Sequence, residues 1–400
     1  MPDLKSATWL SLIAVESFGE QMIDHCFKPA GIKEIAQALG ISIGTVDRAL
    51  HNRSGVSAKT RANVLKMAER LQYRPNLAAR NLKLNRRIRL AVHLPKEIAS
   101  FFDPLREGVR TAAAAVSGVK MDLDFRAYPW LGEGDVELLE QDLERDYDGI
   151  LITPGSPAIL ESTIRRFTDR GTAVVCVASD APRSSRLSAV CVDAAVSGAI
   201  AAELLGRVLQ SESMVATITG DLGTYDHGEK LRGFAGTLAV VAPHLTLLPA
   251  IETYDQPKDA YQATVALLKR KPRAAGLYIS TANSLPVLKA LEEHGLLGRV
   301  QVVATDLFPE LAALLESGKI LATIYQRPFT QGRVAFETLI RHLVEGVRPE
   351  PVTQLAPYII LRSNLHLFLP RLVEGRTHPD DNAAISGEGE AAAGISRQES

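Results

Sequence analysis

Ser42, Ile43, Gly44, Thr45 and Arg48 stand within the stretch ALGISIGTVDRAL (38–50), and together they offer the chemistry of a base-reading surface. A guanidinium at position 48 suits a bidentate contact with guanine, or a phosphate. Ile43 can meet a thymine methyl, and Gly44 lets a backbone come close to a duplex. Chemistry of the catalytic kind is sparse. The chain has no G-x-x-x-x-G-K, no G-x-G-x-x-G after its first strand and no G-x-S-x-G elbow between a strand and a helix; GISIG (40–44) has that spacing but lies between two short helical runs. Its nine histidines show no H-E-x-x-H spacing, and its three cysteines lack metal-ligand spacing. No catalytic residue, metal site or cofactor is therefore expected, and His227 and His244 read as polar surface groups.

The elements that must hold the first constellation follow from apolar spacing. Ile32, Ile35, Ala36 and Leu39 make one helical face, and Gly40 ends it. Ser42 can cap a second helix that turns Val46, Ala49 and Leu50 inward. Ser57 can cap a third, with Val64, Met67, Ala68 and Leu71 on one side. Two short helices joined through a Gly-containing turn form a helix-turn-helix, and the second can present its polar face to the major groove. Charge agrees. Residues 31–87 hold twelve Lys and Arg against three acids, whereas residues 88–400 carry a net −8. A basic block fused to an acidic body points to a polyanionic partner for the block alone.

Residues 32–82 resemble the DNA-binding headpiece and hinge of the LacI family of repressors. The matching pieces are IAQALGIS, TV-RAL, GVSAKTR and YRPN-AARNL, in order and at the family's spacing. The resemblance implies a homodimer on a pseudo-palindromic operator. It adds Tyr73, Asn76 and Arg80 to the DNA contacts, and makes Leu82 a wedge in the minor groove. Residues 75–82 are too few for a stable isolated helix, which fits a hinge that orders on DNA. Two positions depart from the family. Asp47 replaces the usual Ser and is expected to pair with Arg48 or Arg53, or to accept from a cytosine amine. His51 replaces the usual Asn.

From Ile88 the pattern changes to strands alternating with helices. Strands are expected at IRLAVHL, MDLDFRAY, GILITPG, AVVCVAS and LSAVCVD, with helices around 104–116, 134–145 and 157–170. A second series follows, from MVATITG through LTLLPAIE, AGLYIS and VQVVATD to LATIYQ, with helices 228–241, 257–269, 284–294 and 308–317. Such alternation predicts two parallel sheets with helices on both faces, in two lobes with a ligand cleft between them. The body resembles the periplasmic sugar-binding-protein fold (type I) that the LacI family uses as an effector domain. The resemblance places Phe101 and Phe102 as stacking platforms, Asp306 and Gln326 as hydroxyl-binding groups, and Asp180 as a carboxylate at a lobe edge. Lys230 stands where the family commonly has Arg, and Ser280 or Thr281 where it often has Asn. A carboxylate and an amide suit a sugar or polyol, since each can engage two hydroxyls.

The expected organisation is thus an N-terminal extension (1–30), a small all-α headpiece (31–73), a hinge and linker (74–87), a two-lobed α/β effector domain (88–372) and a disordered tail (373–400). The extension reads as an added helix or an upstream start, and is a poor signal peptide. No run is apolar enough to span a membrane. The expected function is a cytoplasmic, ligand-controlled transcriptional regulator, a repressor whose operator affinity answers to a small sugar or polyol. The alternatives are a sugar-binding solute receptor and a cytoplasmic α/β enzyme.

Overall fold

A computed structural model describes residues 31–50, 53–71, 87–270 and 274–369. The expectations for the extension, His51, the hinge with Tyr73, Asn76, Arg80 and Leu82, and the tail lie outside the described residues. The chain divides into two compact units, residues 1–76 and 77–400.

The first unit holds three helices, α1 (Ile32–Leu39), α2 (Ile43–Leu50) and α3 (Ala58–Arg70). Gly40 takes the left-handed conformation (φ +62°) that ends α1, and the Ile41 amide reaches back to the Ala36 carbonyl. Ser42 caps α2 by accepting from the Thr45 amide at 3.1 Å, and Ser57 caps α3 in the same way through Thr60. Ile35, Ala36, Val46, Ala49, Val64 and Ala68 close into one small core, with Leu50, Met67 and Leu71 packed at its margin. Both capping serines and all three apolar faces fall where the spacing put them.

The second unit contains two lobes. In the first, six strands run in the order β12-β5-β4-β3-β1-β2, all parallel: β1 (Arg87–Pro95), β2 (Lys120–Tyr128), β3 (Gly149–Ile152), β4 (Ala173–Val177), β5 (Ser188–Val192) and β12 (Val352–Leu355). Helices α4 (Ala99–Ala115), α5 (Asp135–Gln141) and α6 (Pro157–Asp169) join the first four strands. The second lobe has seven strands. Its path is β13-β11-β10-β9-β6-β7, with β8 also on β6, and only β13 is antiparallel. These strands are β6 (Ser213–Thr219), β7 (Leu245–Leu247), β8 (Ile251–Glu252), β9 (Ala274–Ile279), β10 (Gln301–Thr305), β11 (Ala322–Tyr325) and β13 (Tyr358–Ile360). Its helices are α7 (Ala194–Val208), α8 (Tyr225–Val241), α9 (Pro257–Leu268), α10 (Leu285–Glu293) and α11 (Pro309–Glu316). The central strands are buried continuous runs such as AVVCV, as parallel sheets covered on both faces require.

The chain crosses between the lobes three times: from β5 into α7, from β11 into α12 (Pro328–Glu345), and from β12 to β13. Helix α12 returns to pack on α4 and the first sheet. Several sequence expectations change here. Helices α7 and α12 were not anticipated. LTLLPAIE breaks at Pro249 into β7 and β8. Helix α4 starts at Ala99 and carries Pro104 inside it, so Phe101 and Phe102 belong to a helix. Close helix contact is built from glycine. A Cβ at Gly198 on α7 would sit 1.9 Å from the Lys230 carbonyl of α8, so the bare glycine lets the two backbones touch at Lys230.

Candidate functional site

In the first unit, the polar face of α2 is open to solvent. Ser42, Ile43, Gly44 and Arg48 are exposed and Thr45 is half-buried. Ile43 keeps 50% of its surface accessible, as does Leu65 on α3. The Arg48 guanidinium lies alongside Gly44, 3.7 Å from where a Cβ would stand. Asp47 meets one of its expected partners, Arg53, whose Nη1 lies 3.1 Å from its Oδ2. The face therefore offers hydroxyls, one apolar tip and guanidinium groups, with its one carboxylate engaged by Arg53.

The second site lies between the lobes of the other unit. Strand ends and helix starts meet there around a small cavity. The first lobe contributes a largely apolar wall. Phe101 and Phe102 meet edge to face, ring centres 5.0 Å apart, beside Ile98, Leu131 and Ala178. Set into that wall are Thr153 and Ser179, each about 1–2% exposed, whose hydroxyls have no hydrogen-bond partner. Buried hydroxyls without partners cost stability unless something fills the site. The second lobe contributes a polar wall of Asp226, His227, Lys230, Asp255, Thr281 and Gln326.

Each polar group on that wall is held from behind. Lys230 is 1% exposed; its Nζ pairs with Asp226 at 2.6 Å and donates to the Ser280 carbonyl at 3.4 Å. Asp255 accepts from the Thr281 hydroxyl, and its backbone carbonyl accepts from Asn283. Gln326 is fixed by Asp306, which accepts from its amide nitrogen (3.1 Å) and from its Nε2 (2.8 Å). Burial pushes the Asp306 carboxyl up to about 6, against the opposing pull of Lys230 and the Gln326 hydrogen bonds. Backbone strain gathers at the same place. Among the described residues, six that are not glycine have positive φ: Ile98, Ala178, Tyr254, Asp255, Asp306 and Arg327. Three of them line the cavity, and Asp306 and Arg327 bracket the support of Gln326. Strain confined to strand ends around one cavity marks a site held to shape.

Comparison with known proteins agrees with both sites. The family model for bacterial regulatory proteins of the lacI family matches residues 31–76, and that for the periplasmic binding protein domain matches residues 90–346. The chain belongs to the lacI family of bacterial regulatory proteins. It is a DNA-binding transcriptional regulator with a periplasmic-binding-protein effector body. Catabolite control protein A of Priestia megaterium is 22% identical over 83% of this chain and 98% of its own. The transcriptional repressor PurR of Vibrio parahaemolyticus is 23% identical over 84% and 98%. Among solved structures, a solute-binding protein from Burkholderia graminis in complex with D-arabinose is 27% identical, with a TM-score of 0.63 over 70% of this chain and 96% of its own. One from Agrobacterium vitis with bound D-fucose shares the fold at 17% identity and a TM-score of 0.66, over 71% and 99%.

The regulator's cleft gathers four of the six ligand residues expected from sequence: Phe101, Phe102, Lys230 and Gln326. Asp306 stands one layer behind, supporting Gln326. Asp180 is a correction. Its carboxylate is gripped by Arg186, Nη2 to Oδ2 at 2.6 Å, and it lines a second hollow with Asp193 and Tyr225. Ser179, one residue earlier, occupies the cavity wall. Of the pair Ser280 and Thr281, Thr281 faces the cavity, whereas Ser280 turns its carbonyl to Lys230. His227 is also corrected: it is buried and lines the cavity, with Nδ1 3.2 Å from the Asp221 carbonyl. His244 is half-buried, its Nε2 2.6 Å from the Leu209 carbonyl. Thr153, Asp226 and Asp255 were not anticipated. Asp226 had one available signal, its i,i+4 spacing to Lys230 on a helix. Among the described residues, no helix is long and apolar enough to cross a membrane, and no cluster of three or more His, Cys, Asp or Glu is placed to hold a metal.

Proposed function

We propose that this lacI-family regulator binds a small sugar or polyol in the interlobe cleft and thereby alters its affinity for operator DNA, acting as a cytoplasmic repressor. The observation that carries the reading is the pair of buried, partnerless hydroxyls, Thr153 and Ser179, facing the carboxylate- and amide-bearing wall. Such a cavity wants a ligand with many hydroxyls and one apolar face. The D-arabinose complex of the Burkholderia graminis protein supports that chemistry. Phe101 and Phe102 would pack against C–H faces, and Lys230 and Gln326, held by Asp306, would bind hydroxyls.

On the DNA side, Ser42, Ile43, Gly44, Thr45 and Arg48 would enter the major groove. Tyr73, Asn76, Arg80 and the Leu82 wedge would complete the contact, in a homodimer on a two-fold site. The cleft binds and does not turn over its ligand in this reading. A solute receptor would have no use for the helix-turn-helix.

The test is selection of binding sites from random duplex DNA by the full chain at two salt concentrations, repeated with pentoses, hexoses and inositols present. Enrichment of a pseudo-palindrome, affinity falling steeply with salt, and a change of occupancy with one polyol are the expected results. Absence of an enriched site, with and without every polyol, would overturn the regulator reading.

A further inference from the structure

Hydrogen-bond directions in the cleft wall carry a consequence for the charge of the ligand. Gln326 commits one Nε2 hydrogen to Asp306 at 2.8 Å, which leaves it a side-chain carbonyl to accept and one hydrogen to donate. Asp255 takes the Thr281 hydroxyl on Oδ1 and keeps Oδ2 as an acceptor. Asp226 gives Oδ2 to Lys230 and keeps Oδ1. His227 places Nδ1 against the Asp221 carbonyl, which can only accept; with a single ring proton, that proton sits on Nδ1 and Nε2 is the acceptor. The single cation, Lys230, has two of its three donor directions committed to Asp226 and the Ser280 carbonyl. The wall is accordingly rich in acceptors and poor in donors. Two carboxylates face one ammonium, and a third, Asp306, stands directly behind.

We infer that the cleft takes a hydroxyl-rich ligand that carries no negative charge and rejects the same molecule bearing a phosphate or a carboxylate. This rests on the polyol reading of the cleft and adds the charge class. A hydroxyl can donate to Asp226, His227, Asp255 or Gln326 and still accept from Lys230, Thr153 or Ser179. A phosphate dianion or carboxylate can only accept. It would face acceptors it cannot satisfy, inside a cavity whose own charge is negative and which excludes much of the water that would screen it.

The experiment is calorimetric titration of the full chain with matched sets: pentoses, hexoses and inositols, their monophosphates, and the corresponding uronates. The expected result is binding of at least one neutral member, with its phosphate and uronate at least about 100-fold weaker. Asp226→Asn and Asp255→Asn should each narrow that ratio by about tenfold or more, because each removes a negative charge from the wall. Circular dichroism and thermal melting identify any variant that fails to fold, and the other variant then carries the test. A phosphate or uronate binding as tightly as its neutral parent would overturn the inference. So would a neutral-to-anionic ratio unmoved in a folded variant. Binding of no member of any set would instead overturn the polyol reading on which the inference stands.

Discussion

Asp306 is buried at φ +68°, with one carboxylate oxygen on the Gln326 amide and the other on its Nε2. Holding a carboxylate there is unfavourable, and its pKa rises from 3.8 to about 6 because burial outweighs Lys230 and the two hydrogen bonds. Between those values the folded chain keeps a proton that the unfolded chain has lost. Stability from this group is therefore greatest below pH 4, falls as pH rises through the window, and levels off above 6. The full fall is about 3 kcal/mol, an order-of-magnitude figure. Asp306→Asn cannot titrate, so stability relative to wild type should climb between pH 4 and 6 in denaturant melts of the ligand-free chain. A difference that stays flat across that window would show that Asp306 is ionised throughout. The position is retained at this cost because it aims Gln326. Asp306→Ala should accordingly leave operator affinity intact and weaken the ligand response at least tenfold, as measured by operator occupancy against ligand concentration.

Elements bring such residues together, and here the legibility of the sequence divides. The headpiece was readable almost residue by residue, since caps, turn glycine and apolar stripes lie within 40 consecutive positions and act locally. The effector strands were readable as buried β-branched runs. Helix α7 was not, because AAVSGAIAAELLGRV is small and apolar around most of its circumference and shows little contrast between faces. Helix α12 was missed at Pro328, a residue that ends strands but also suits a first helical turn. Phe101, Phe102 and Gln326 could be placed by resemblance. Thr153 could not be paired with Asp226, since only the repeated crossing of the chain brings two lobes together there. One such contact spans the cleft directly. The Thr224 hydroxyl, at the start of α8, donates to the Gly155 carbonyl of the other lobe at 2.9 Å and is fully buried. Asp135 steadies that loop by accepting from the Gly155 and Ser156 amides, both at 3.0 Å. Thr224→Val removes the bond but keeps the shape, at a cost of about 1–2 kcal/mol to the closed lobes. Ligand affinity should fall by about tenfold, and Thr224→Ser should restore it, both by calorimetry. Equal affinity in the valine variant would mean that closure does not depend on this bond.

At the scale of the whole molecule, a ligand can shift DNA affinity only through its differential affinity for two states of the chain. That condition can be measured without knowing the geometry of either state. If the ligand changes the operator dissociation constant by some factor, saturating operator must change the ligand dissociation constant by the same factor. For a regulator of this size the factor should lie at about 5–150. Calorimetry of the ligand with and without operator gives one side, and operator titrations with and without ligand give the other. Thr224→Val should lower ligand affinity in both DNA states. If the bond is equally intact in both, the coupling factor stays at its wild-type value. If it forms in one state alone, the factor itself changes, and by the same amount on both sides. Asp306→Ala should reduce the response because binding is lost, while operator titrations without ligand remain those of wild type. Unequal factors on the two sides would reveal a third linked equilibrium, and repeating both titrations over a range of protein concentration would identify it as subunit association if the mismatch followed concentration.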